Sequence, residues 1–209
     1  MQKKLPARLG GLIGGVVLAI VVVVAAVILL NRSQEPSYAY NGGVFSPPAA
    51  APPLDLTDAN GNPFTLDQLK GDVTLIYFGY TTCPDVCPTT LTDFQAVKDD
   101  LGPDADRVKF LLVTLDPERD TAAKLKEYLA FFDPDFIGLR GDEAQTAQFT
   151  KDYGITVKRV EYPDSATKYL LDHTALVYVI DPEGRLLLTY PYGTDPALIA
   201  QDVRYLLGT

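Results

Sequence analysis

Val73-Thr-Leu-Ile-Tyr-Phe-Gly-Tyr80 is a nearly continuous apolar run, and two cysteines four apart, Cys83 and Cys87, follow it at once. An apolar run of this kind, without alternation, is the pattern of a strand covered on both faces. Pro88 comes next, and proline favours the first position of a helix. Leu91, Phe94, Val97 and Leu101 then recur at helical spacing and give that helix one buried stripe. A buried strand, a cysteine loop and a helix in direct succession admit few folds.

The rest of the chain supplies partners for this unit. Asn60-Gly61 sets a hairpin turn ahead of Phe64. Residues 108–115 read as a second buried strand. Asp120 or Thr121 caps a helix with Leu125, Tyr128, Leu129 and Phe132 on its inner face, and Pro134 stops it. Residues 136–139 form a short strand, and Asp142 with Gln145 makes a capping box for a helix ending at Gly154. Residues 155–160 are extended, and 161–168 are a polar loop. Strands 175–180 and 185–190 flank a turn at Asp181-Pro-Glu-Gly184, and Pro196 begins a last helix. This order predicts an α/β layer architecture. A cysteine motif between the first central strand and its helix is the thioredoxin arrangement. A helix N-terminus at that place lowers thiol pKa values.

Cys83 and Cys87 are the only cysteines, and His173 is the only histidine. Two thiolates and one imidazole make a three-coordinate soft site, which suits a copper ion. Four-residue spacing puts both sulfurs on one face of a helical turn or at the ends of a tight loop. His173 falls in a loop just ahead of strand 175–180. In a thioredoxin-like fold that loop passes near the cysteine pair, so the three can converge. Asp172 could orient the imidazole or simply cap the loop. Asp85 could lie near a metal, or serve only as a turn residue. Asp116-Pro-Glu-Arg-Asp120 reads as a loop and helix cap, with charges that could also meet a partner protein.

Residues 9–30 carry no charge. At about 1.5 Å per residue they span roughly 33 Å, enough to cross a bilayer core. The stretch exceeds the apolar part of a cleaved signal peptide, and no cysteine follows it closely for a lipid anchor. Lys3, Lys4 and Arg8 precede it. That predicts a cytoplasmic tail over 1–8, a single-pass transmembrane helix over 9–30, and a domain on the outer face of the cell membrane. Gly10, Gly11, Gly14 and Gly15 give GxxxG spacings that could form a helix-pairing face. Residues 31–43, extending as far as 53, read as a Pro- and Ala-containing linker. The folded domain is then 44–209. Beyond the first 32 residues, 14 basic residues face 27 acidic ones, which argues against nucleic acid as a partner. Outside the cytoplasm, paired thiols go to a disulfide unless a reductant or a metal holds them.

Three segments together resemble the Sco (SenC) family of cytochrome c oxidase assembly proteins. They are Gly79-Tyr-Thr-Thr-Cys-Pro-Asp-Val-Cys-Pro88, Val113-Thr-Leu-Asp-Pro-Glu-Arg-Asp-Thr121, and Asp172-His173-Thr174 before an apolar strand. The resemblance runs from about Val44 to the C-terminus. It implies a membrane-anchored, thioredoxin-like protein that holds copper through Cys83, Cys87 and His173. It implies supply of that copper to the binuclear copper site of cytochrome c oxidase subunit II. On this reading the protein is a metallochaperone and not an enzyme. The alternative is a thiol-disulfide oxidoreductase, with Cys83 and Cys87 as a redox pair that keeps the subunit II cysteines reduced. Another copper chaperone or a thiol reductant is a further partner. A purely structural disulfide is the plainer alternative, but so short a loop stabilises little. A peroxidase fits the fold, yet no Thr and Arg set marks a peroxide pocket around the cysteines.

Overall fold

The computed structural model describes residues 20–24 and 38–209. The chain divides into units 1–39 and 40–209, and the architecture below is that of the second. The expected tail, most of the anchor, the glycine face and the first part of the linker lie outside the described residues. Among the described residues, no helix is long and apolar enough to cross a membrane.

The strands are β1 (Gly43–Ala50), β2 (Leu56–Asp58), β3 (Pro63–Phe64), β4 (Val73–Gly79), β5 (Val108–Thr114), β6 (Ile137–Arg140), β7 (Val157–Tyr162), β8 (Lys168–His173), β9 (Leu176–Ile180) and β10 (Arg185–Pro191). The helices are α1 (Val86–Leu101), α2 (Ala122–Ala130), α3 (Glu143–Asp152) and α4 (Pro196–Leu207). Eight strands form one sheet in the order β1-β10-β9-β4-β5-β6-β2-β3. β4 is central, parallel to β5 and antiparallel to β9. Every residue of β4 is buried, which is why its sequence lacks polar alternation. On one face Leu75 and Tyr77 join Leu91 and Phe94 of α1 and Val203 of α4. On the other, Phe78 meets Phe149, Tyr153 and Tyr178 at ring-centroid distances of 5.5, 4.9 and 5.5 Å. Each such buried side chain contributes about 1.5–3 kcal/mol of transfer free energy.

Residues 43–50, part of the stretch that could extend the linker, form the sheet's edge strand β1. Its register shifts between Val44 and Ala49, around Pro47 and Pro48. Proline has no N–H for the ladder, so an irregular edge strand is where it fits. α1 starts at Val86, two residues ahead of the expected Pro88. First-turn N–H groups have no partner inside the helix, so Pro88 sits there without cost. This shift places Cys87 within the helix. Thr121 caps α2 by accepting from Lys124 N–H, and the Asp142–Gln145 capping box opens α3.

The region after α3 departs most from expectation. Residues 161–168 are not one polar loop: β7 runs to Tyr162, and β8 begins at Lys168. These two strands pair only with each other, Val157 opposite His173. His173 is therefore the last residue of a strand, not a loop residue. Tyr169 is the one fully buried residue of the ribbon. A mostly exposed ribbon shows no apolar period, so hydrophobic pattern does not reveal it.

Candidate metal and thiol site

The cysteine pair sits where β4 gives way to α1. Cys87 is fully buried in the first turn of α1, and Cys83 is half-buried in the loop before it; both are free thiols. Gly79 makes room for this packing. A Cβ there would stand 2.6 Å from the Tyr77 ring and 3.1 Å from Cys87 Sγ. The Tyr77 hydroxyl donates to Cys87 Sγ at 3.5 Å.

The two thiols share one hydrogen bond and divide in character. The Cys83 thiol is pushed down to about 5, first because the Cys87 thiol donates to its sulfur. Burial opposes this shift, while the backbone N–H groups of Asp85 and Cys87 and the Tyr80 hydroxyl reinforce it. The two N–H donors belong to the start of α1, where such groups lack helical partners and favour negative charge. The Cys87 thiol is pushed up, by its bond to Cys83 and then by burial. One sulfur is an accessible thiolate and the other a buried thiol that holds its proton.

The ribbon brings His173 to the same place. Its Nε2 lies 3.9 Å from Cys87 Sγ. Its Nδ1 lies 3.0 Å from the Thr174 carbonyl oxygen. A carbonyl only accepts, so Nδ1 carries the proton and the Nε2 lone pair faces the sulfur. Thr174, not Asp172, therefore orients the ring, and the Asp172 side chain is exposed. Tyr77 and Tyr80 wall the imidazole at centroid distances of 6.0 and 5.9 Å. Asp85 is exposed at the start of α1 and contributes its backbone N–H.

The donor set suits a soft ion. Thiolate and imidazole bonds to a first-row metal run about 2.3 and about 2.0 Å, which at trigonal angles holds the donors roughly 3.8 Å apart. The Cys87–His173 spacing of 3.9 Å matches that. Among the described residues, no three His, Cys, Asp or Glu side chains form a ready-made ion cage. Cys87 is the member that touches both of the others.

Neither Tyr77 nor Tyr80 stood out in the sequence beyond strand-forming character, nor did Gly79. Their roles depend on which face of β4 meets α1. The Asp116–Asp120 segment, read as a loop and cap, turns Asp116, Arg119 and Asp120 inward and leaves Glu118 exposed. Asp120 is fully buried and accepts from Thr81 N–H at 2.9 Å, ahead of the cysteines.

The family model described as SCO1/SenC matches residues 46–208. The chain belongs to the SCO1/SenC family. An SCO2-like protein of Rickettsia conorii is 38% identical over 151 residues, covering 72% of this chain and 74% of that protein. The structure of Bradyrhizobium japonicum ScoI with copper bound is similar at a TM-score of 0.69 and 43% identity, over 76% of this chain and 100% of that one. Yeast Sco1 with copper bound is similar at 0.69 and 31% identity, over 78% and 90%. The fold shared with these Sco structures is the thioredoxin-like α/β fold.

Proposed function

We propose that this SCO1/SenC protein binds a copper ion through Cys83, Cys87 and His173 and supplies it to the binuclear copper site of cytochrome c oxidase subunit II. The observation that carries this reading is the 3.9 Å approach of His173 Nε2 to Cys87 Sγ, at a spacing suited to two donors of one ion. Two similar structures, described as having copper bound, support the choice of metal. Copper here is cargo. The half-buried Cys83 thiolate is the ligand an incoming donor can reach first, and buried Cys87 holds the rear of the site. The domain works on the outer face of the cell membrane, held by the 9–30 segment as a single-pass anchor with its N-terminus in the cytoplasm. Another copper chaperone loads it, or a thiol reductant keeps its sulfurs free.

The test is metal binding by the reduced full-length protein in detergent. One copper per chain with thiolate-to-copper absorption is the expected result. His173→Ala should lower affinity by at least about a hundredfold, since two thiolates leave the site incomplete. Absence of bound copper in the reduced wild type overturns the reading. Protease added to the outer face of intact cells should remove the domain; protection there overturns the topology.

The split thiol character favours a second reading, a reductase of subunit II cysteines. The Cys83 thiolate attacks one sulfur of the target disulfide and releases the other as a thiolate, leaving a mixed disulfide. Cys87 then loses its proton and attacks the Cys83 sulfur. The second target thiolate leaves, and the Cys83–Cys87 disulfide carries the two electrons' worth of oxidation. Cys87→Ser should trap the mixed disulfide. Oxidase maturation by His173→Ala without bound copper would leave this reading alone.

A further inference from the structure

The ribbon of β7 and β8 belongs to no larger sheet, yet it carries His173. A groove of about 660 Å³ runs along it, lined in part by Leu115, Thr146, Val157 and Leu171. Leu170 and Leu171 pack against the core, but the groove leaves the rest of that side open, so polar contacts add to the ribbon's placement.

We propose that Arg119 is the positioning residue that sets His173 against the cysteine pair. Its Nη1 donates to two carbonyls of the ribbon, Thr167 O at 2.7 Å and Tyr169 O at 2.8 Å. Its guanidinium carbon lies 3.5 Å from the Tyr169 ring centroid. The Arg159 guanidinium lies 3.5 Å from the same centroid. Two such groups cannot share one face, so the Tyr169 ring is held between them. The Tyr169 hydroxyl donates to Asp116 Oδ1 at 2.8 Å, and Arg119 Nε donates to Asp116 Oδ2 at 2.5 Å. Arg119 thus binds the ribbon's backbone, its one buried ring and the acid that receives that ring's hydroxyl. Charge-assisted bonds from a planar fork are stronger and more directional than neutral ones.

The other end of the same turn holds the cysteine loop. Asp120 accepts from Thr81 N–H at 2.9 Å, Thr81 Oγ1 at 2.5 Å and Thr114 Oγ1 at 2.7 Å. The turn itself is closed by Asp120 N–H to Asp116 O at 2.9 Å. One short rigid turn therefore fixes both the approach to Cys83 and the ribbon that ends at His173. Tyr169 and His173 are four residues apart on β8, about 13 Å at strand rise. Over that lever a small rotation of the ribbon at the Arg119 grip displaces the imidazole.

The inference rests on His173 as a ligand, and the test separates the two. Wild type, Arg119→Gln and Arg119→Lys are compared as full-length protein in detergent. The first readout needs no metal: amide exchange across 168–173. Arg119→Gln should exchange at least about tenfold faster there, with α1 and α4 unchanged. The second is copper added to the reduced protein, followed by the spectroscopic signature of a bound imidazole nitrogen. Affinity should fall by at least about tenfold with that signature weakened, and free imidazole should restore it. Arg119→Lys keeps the charge but not the fork, and should recover less than half of each effect. If Arg119→Gln does not fold, Arg119→Lys decides alone, with the same two readouts. Unchanged ribbon exchange overturns the proposal. So does lost affinity with the nitrogen signature intact. A wild type that binds no copper sinks the copper reading, and the exchange readout still decides whether Arg119 positions the ribbon.

Discussion

The Tyr80 hydroxyl accepts the backbone N–H of Leu171 at 3.1 Å and itself donates to the Cys83 sulfur. One oxygen thus joins the ribbon that carries His173 to the loop that carries Cys83. Tyr80→Phe removes it. The Leu171 N–H loses its partner, which costs about 1–3 kcal/mol. The Cys83 thiolate loses a donor, so its pKa should rise from about 5. Chemical denaturation and the pH dependence of Cys83 alkylation check the two effects separately. Unchanged alkylation would show that the hydroxyl does not serve the sulfur.

Gly79→Ala tests the packing beneath the site. The added methyl would sit 2.6 Å from the Tyr77 ring and 3.1 Å from Cys87 Sγ. Neither neighbour has room to retreat, because Tyr77 and Cys87 are both buried. The expected cost is about 1–3 kcal/mol, the usual range for overpacking. Displacing Cys87 should also weaken metal binding. A variant with the wild-type denaturation midpoint would show that the junction of β4 and α1 yields easily.

What the sequence revealed depended on the kind of contact involved. β4, α1 and the cysteine motif were legible because burial writes a period into the chain, and Leu91, Phe94 and Val97 repeat it. The pairing of Cys83, Cys87 and His173 was legible because those residue types occur nowhere else. The ribbon was not, since only Tyr169 among its strand residues is fully buried and neither strand shows an apolar stripe. The start of α1 was misread by two residues, because Pro88 is equally at home anywhere in a first turn. Arg119 and Asp120 read as parts of a loop and helix cap whose charges could meet a partner protein. Their roles come from partners far along the chain, Thr167, Tyr169 and Thr81, and no local pattern records such partners.

Asp202→Ala tests how the start of the domain is held. Asp202 is fully buried on α4 and accepts from Asn41 N–H at 2.8 Å and the Tyr190 hydroxyl at 2.6 Å. Removing the carboxylate leaves several donors without their acceptor. The expected loss is about 2–4 kcal/mol, and residues 41–42 should become sensitive to protease. Asp202→Asn, which keeps one carbonyl oxygen, should lose less. Equal losses in the two variants would mean that shape, not hydrogen bonding, matters at this position.

The division of labour between the thiols makes the sharpest prediction. The Cys83 thiol lies near 5, so its alkylation rate should rise as pH passes through about 5 and level off above it. The largest cause is the bond donated by Cys87. Cys87→Ala deletes that donor, so the midpoint should move upward, towards an ordinary thiol. Cys87 itself should resist alkylation in the native protein at neutral pH, because burial and the neighbouring thiolate hold its proton in place. The sign matters for both proposed activities. A thiolate already formed at neutral pH binds a soft metal without first releasing a proton, and it attacks a disulfide without a base. Monitoring single-cysteine alkylation by mass from pH 4 to 9 reads both midpoints. A Cys83 midpoint near 8.5, unmoved by Cys87→Ala, would show that the pair does not share a proton and would remove the asymmetry on which the reductase reading depends.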